Sequence, residues 1–110
     1  MKAPLKVLLV FVNEADRWQD GQPLYQVLVE RLRQLGIAGA TATAGIMGFG
    51  HHHRIHHKGL FGIADDRPVT VMALDEETTL RTAARAIRPL VQEGLLVLLD
   101  AELLADEPPA

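Results

Sequence analysis

Hydrophobic period changes along this chain in one order, strand, helix, strand, strand, helix, strand, and that order constrains the fold more than any other feature. Leu5 to Val12 is a strand-like run of Leu, Val and Phe, followed by a polar stretch from Asn13 to Gly21. Pro23 suits the first turn of a helix in which Leu24, Leu28, Leu32 and Leu35 recur at helical spacing, with Val27 widening the stripe and Gly36 as a left-handed stop. From Ala38 to Met47 the period falls to two, with Ala40, Ala42, Ala44 and Ile46 on one side and Thr41, Thr43 and Met47 on the other, which predicts a second strand. After a glycine- and histidine-rich connection, Pro68 to Leu74 reads as a third strand. Asp75 then reads as the cap of a second helix whose first turn carries Glu76 and Glu77, where the dipole favours anions. That helix is expected to run to about Glu93, burying Leu80, Ala83, Ala84 and Ile87 and breaking near Arg88, because Pro89 removes a helical hydrogen bond. Gly94 ends it and Leu95 to Leu99 is a fourth strand.

The pattern β-α-β-β-α-β predicts an α+β, ferredoxin-like fold: an antiparallel sheet with two helices on one face. With 110 residues there is room for one domain, expected over residues 1–104, and an acidic, proline-containing tail at 105–110 that should fray. Helices cover one face only, yet Leu5 to Val12 and Leu95 to Leu99 are apolar at nearly every position, so the other face must also be buried. A closed homo-oligomer with sheets packed together would bury it. The alternative is the tail folding back across it.

Composition removes several classes of function. A formal charge of -3 leaves no basic footprint for nucleic acid, and no cysteine is present to form disulfides, thiolate metal sites or cysteine nucleophiles. Serine is absent too, and no nucleophile, base and orienting group stand together, so the chain does not read as an enzyme. Glu14 and Asp16 read as loop and cap acids rather than as an acid–base pair. The longest apolar run is too short to cross a bilayer and no leader pattern opens the chain, which points to the cytoplasm.

All five histidines lie in His51-His52-His53-Arg54-Ile55-His56-His57, directly after Gly48-Phe49-Gly50. If this segment is helical, His52 and His56, or His53 and His57, lie one turn apart and could share Zn, Ni or Cu, with Asp65, Asp66 or a symmetry-related histidine completing the set. The alternative is a solvated loop in which the rings do nothing. Gly45, Gly48 and Gly50 have two readings of equal weight: a strand exit with positive φ, or close approach of a ligand to the backbone. Phe49 reads as an anchor for the loop. Arg54, Lys58 and Arg17 could meet a phosphate or carboxylate, or be ordinary solvated charge. Residues 48–66 are expected to be mobile when free and ordered by a ligand.

Asn13-Glu14-Ala15-Asp16-Arg17-Trp18, Gln22-Pro23-Leu24-Tyr25, Gly36-Ile37-Ala38-Gly39-Ala40-Thr41, and Gly45-Ile46-Met47-Gly48-Phe49-Gly50 with Arg54-Ile55-His56 together resemble the signatures of the PII-like family catalogued as domain-of-unknown-function family 190. The likeness covers nearly the whole chain. It implies a trimer of ferredoxin-like subunits, a small effector such as an adenine nucleotide held in the clefts between subunits, and a long T-loop presented to a partner such as a membrane transporter or channel. Gly45, Gly48, Phe49, Gly50, Arg54 and His56 are the ligand-binding candidates on that likeness. Of the histidines only His56 belongs to the family pattern. The junction Val91-Gln92-Glu93-Gly94-Leu95 also departs from the glycine- and lysine-rich phosphate loop of PII proteins, since one glycine beside an acid is a poor anion nest. The identity of the effector therefore does not carry over.

Overall fold

The computed structural model describes residues 4–50, 56–57 and 66–104. Its elements are β1 (Leu5–Asn13), α1 (Leu24–Gln34), β2 (Gly39–Ala44), β3 (Met47–Gly48), β4 (His56–His57), β5 (Pro68–Glu76), α2 (Glu77–Ile87) and β6 (Leu95–Ala101), with short 3-10 turns at Gln19–Gly21 and Arg88–Leu90. The four long strands form one antiparallel sheet in the order β2-β5-β1-β6, while β3 and β4 make a separate two-stranded ribbon. This is the expected ferredoxin-like arrangement.

Strand alternation decides which residues meet the helices. Leu8, Val10 and Val12 of β1 and Val69, Val71 and Ala73 of β5 are buried against Leu24, Leu28 and Leu32 of α1 and Leu80, Ala83 and Ile87 of α2. Leu35, expected on the α1 stripe, lies just past the last helical turn and is 40% exposed. Gly36 does take the left-handed φ of +80° that the sequence predicts there.

Three boundaries differ from expectation, each for a backbone reason. The strand predicted over Ala38 to Met47 is two pieces, β2 and β3. Gly45 N–H donates to Pro68 O (2.6 Å), but Pro68 has no N–H to return, so the main ladder stops there. Helix α2 ends at Ile87, the break expected near Arg88, and the chain then passes through the 3-10 turn that contains Pro89 instead of resuming the helix to about Glu93. Asp75 is not a helix cap. It is the penultimate residue of β5, 8% exposed, and its carboxylate accepts Ala38 N–H (2.9 Å) and Glu76 N–H (2.6 Å), fixing the start of β2 against the end of β5.

Candidate functional site

The antiparallel registers bring four chain breaks to one end of the sheet. Asn13 pairs with Pro68, Ala44 with Val69 and Phe11 with Leu95, so the exits of β1 and β2 and the starts of β5 and β6 all lie there. This end holds the polar residues left over from the core.

On the helix-facing side Arg67 forks onto Glu14, with Nε donating to Oε1 at 3.0 Å and Nη2 to Oε2, while Glu14 N–H donates to Arg67 O at 2.8 Å. The Arg67 hydrogen bond holds the Glu14 carboxyl below its ordinary range, and the Arg67 and Arg17 charges add to the effect. Arg17 Nη1 donates to the main-chain carbonyls of Glu14 (3.0 Å) and Asp16 (3.2 Å). Asp16 Oδ2 accepts Asn13 N–H (2.9 Å) and Asp66 Oδ1 accepts Ala15 N–H (2.7 Å). Asp16 is thus a loop acid, as expected, but it caps the turn after β1 rather than α1, which no side chain caps. Arg67 is not a candidate from the sequence, and Asp66 is one only as a further metal ligand for the histidines, not as an acceptor for Ala15 N–H. Their partners lie 53 and 51 positions away, and no local spacing marks them.

Among the glycines, space separates the two readings. A Cβ on Gly45 would stand 2.9 Å from Pro68 Cγ and one on Gly48 3.2 Å from the same atom, whereas one on Gly50 would meet nothing within 4 Å. Positive φ among described glycines occurs at Gly21 and Gly36, not at Gly45, Gly48 or Gly50, so the left-handed reading of the exit does not hold, and Gly45 and Gly48 pack closely on Pro68 instead. Gly94 is also a close-approach residue. A Cβ there would overlap Phe11 O and come within 2.7 Å of Val91 Cγ1, so the face of Gly94 is turned to β1 and not to a ligand.

The β3–β4 ribbon sets Gly48 opposite His56 and Met47 opposite His57. Pairing as a strand removes, at this end of the segment, the helical spacing on which the metal reading rests. His51, His52, His53, Arg54, Lys58 and Asp65 lie outside the described residues. Among the described residues no group of three or more histidines and carboxylates is placed to hold a metal ion, and no helix is long and apolar enough to cross a membrane. Ile46, Met47 and Phe49 are 84%, 63% and 67% exposed, making the strand exit strongly apolar on its outside.

A sheet of this order, helices on one face and a glycine-lined strand exit define a PII-like protein fold. The solved structure of CPII, a nitrogen regulatory PII-like protein from Thiomonas intermedia K12 with bound ADP, AMP and bicarbonate, superposes with a TM-score of 0.68 at 20% identity, covering 91% of this chain and 88% of that one. CutA1 from Ehrlichia chaffeensis, a divalent ion tolerance protein, superposes with a TM-score of 0.56 at 14% identity over 94% of this chain and 86% of its own. The chain belongs to the DUF190 family, described as "Uncharacterized ACR", which it matches over residues 5–103. A UPF0166 protein of Aquifex aeolicus is 32% identical over 99 residues, 90% of this chain and 92% of the relative.

Proposed function

We propose that this chain is a PII-like regulatory binding protein, a single domain over residues 1–104 that works as a homotrimer in the cytoplasm and has no catalytic activity. On this reading the effector is a small anion, foremost an adenine nucleotide, held between subunits beside Gly45, Gly48, Phe49, Gly50, Arg54 and His56. The segment that follows is presented to a partner, such as a membrane transporter or channel. The observation that carries the proposal is the uncovered sheet face. Phe11, Met72, Leu95 and Leu99 are each between 39% and 65% exposed there, beside half-buried Val7, Leu9, Leu74 and Val97. An apolar surface of that kind favours association, at about 25 cal/mol per Å² removed from water. Leu103 and Leu104 remain exposed, so the described part of the C-terminus does not cover it. The bound ADP and AMP of CPII favour the nucleotide class.

Light scattering combined with calorimetry tests the reading. A trimer mass and saturable heat with ADP or AMP are expected; a monomer that binds neither would end it. The alternative, a divalent-metal protein using His52, His53, His56 and His57, rests on the histidine cluster alone. Zinc binding by metal-free protein without any nucleotide binding would favour it instead.

A further inference from the structure

Arg67 sits at the mouth of the sheet with a fixed backbone and a half-exposed side chain. Its carbonyl accepts Glu14 N–H, and the next residue, Pro68, starts β5, so the guanidinium is delivered to one place. Two of its N–H groups are taken by the Glu14 carboxylate, and its Nη1 side makes no hydrogen bond among the described residues. The side chains of the pair are 32% and 27% exposed, open to a small solute but partly screened from water. Beside them Arg17 Nη1 donates to the main-chain carbonyls of Glu14 and Asp16, and the Arg17 charge acts on the same Glu14 carboxylate. Asp16 Oδ2 and Asp66 Oδ1 accept the main-chain N–H groups of Asn13 and Ala15, which holds the turn that carries Glu14 in place.

A planar guanidinium that holds a carboxylate two-pronged is also a receptor for phosphate or a free carboxylate, because the acceptor geometry is the same. The carboxylate that fills it here belongs to a short segment at the end of β1. We propose that Arg67 and Arg17 form an oxyanion seat which the Glu14 side chain occupies in the ligand-free chain, so that a phosphate or carboxylate ligand binds by exchanging with Glu14. Such an exchange swings Glu14 into solvent and loosens the tie between the exit of β1 and the start of β5. Occupancy of the seat is thereby coupled to the strand that leads out of the candidate site. The seat stands independently of whether the effector is an adenine nucleotide.

Inorganic phosphate and ADP, titrated calorimetrically into the wild-type protein and Glu14→Gln, test the exchange. Removing the resident charge should tighten phosphate binding about tenfold, which corresponds to about 1.4 kcal/mol. Arg67→Gln introduced into the Glu14→Gln protein should abolish that gain, and Arg17→Gln should reduce it. Phosphate binding to Glu14→Gln no tighter than to the wild type overturns the proposal. Should Glu14→Gln fail to fold, the wild type decides by NMR: phosphate must shift the Arg67 Nε–H resonance, and an unmoved resonance at saturating phosphate overturns the proposal equally. Saturable ADP binding together with phosphate binding that ignores Glu14→Gln refutes the seat but leaves the regulatory reading standing, while tightened phosphate without ADP binding does the reverse.

Discussion

Along β1, Leu8, Val10 and Val12 are buried beneath two helices, while their immediate neighbours Val7, Leu9 and Phe11 point to a face that no described part of the chain covers. The same contrast runs through β5, where Val69, Val71 and Ala73 alternate with Thr70, Met72 and Leu74. Residue type does not separate the two faces; what packs on them does. The covered face ends in polar anchors. Asp75 ties β2 to β5, and Lys6, on the same side of β1, meets Asp100 of β6 and Glu77 of α2 (3.7 Å). Apart from Thr41, Thr43 and Thr70, and Asn13 and Glu76 at the strand ends, the residues that the register sets on the open face are apolar or glycine.

Placing one carboxylate on each face is the most severe way to break this contrast. Val10→Asp should fail to fold, since an unpaired buried carboxylate costs several kcal/mol. Val97→Asp, opposite Leu9 on the open face, should keep its secondary structure by circular dichroism but run as a monomer in light scattering. Equal damage from both would mean that the faces are not energetically distinct.

Next comes Gly94→Ala, where a methyl group would collide with the Phe11 carbonyl at the edge shared by β1 and β6. A loss of about 1–3 kcal/mol in urea unfolding is expected, typical of overpacking. No measurable loss would show that β6 can shift away from β1.

Smaller effects should separate the glycines of the strand exit. Gly45→Ala presses on Pro68 and should lower the melting temperature, Gly48→Ala less so, and Gly50→Ala hardly at all. If Gly50→Ala leaves the melt unchanged yet weakens ADP binding, backbone approach by the ligand is the better reading of that glycine.

The smallest expected effect is the pH dependence of the exposed ion pairs. Hydrogen bonds from Arg67, Arg81 and Lys6 hold the folded-state carboxyls of Glu14, Glu77 and Asp100 below their ordinary values. Their stabilisation is therefore complete above the unfolded-state pKa of about 4 and is lost as pH falls through the lower folded values. Lys6 is shifted up by Asp100, so its contribution holds below an unfolded value of about 10.4 and disappears as pH rises through the higher folded one. Melting curves at acid pH should show a shallower decline in Asp100→Asn than in the wild type. A parallel decline would assign the acid sensitivity to the remaining pairs, Glu14 with Arg67 and Glu77 with Arg81.

The order of elements, the α1 stripe, the Gly36 stop and the break before Pro89 were all legible in the sequence, because period, capping and proline chemistry act within a few residues. So was the uncovered apolar face, since strands rich in Leu and Val on both sides need two partners and the helices provide one. Tertiary structure alone decided the rest. The end of β2 depends on Pro68 lying opposite Gly45, Asp75 is a strand anchor because Ala38 reaches it, and Gly94 must be glycine because Phe11 passes over it. Arg67 meets Glu14 across 53 positions only once β1 and β5 pair. Sheet register fixes such contacts, and register is settled by the whole packed core, which no local spacing encodes.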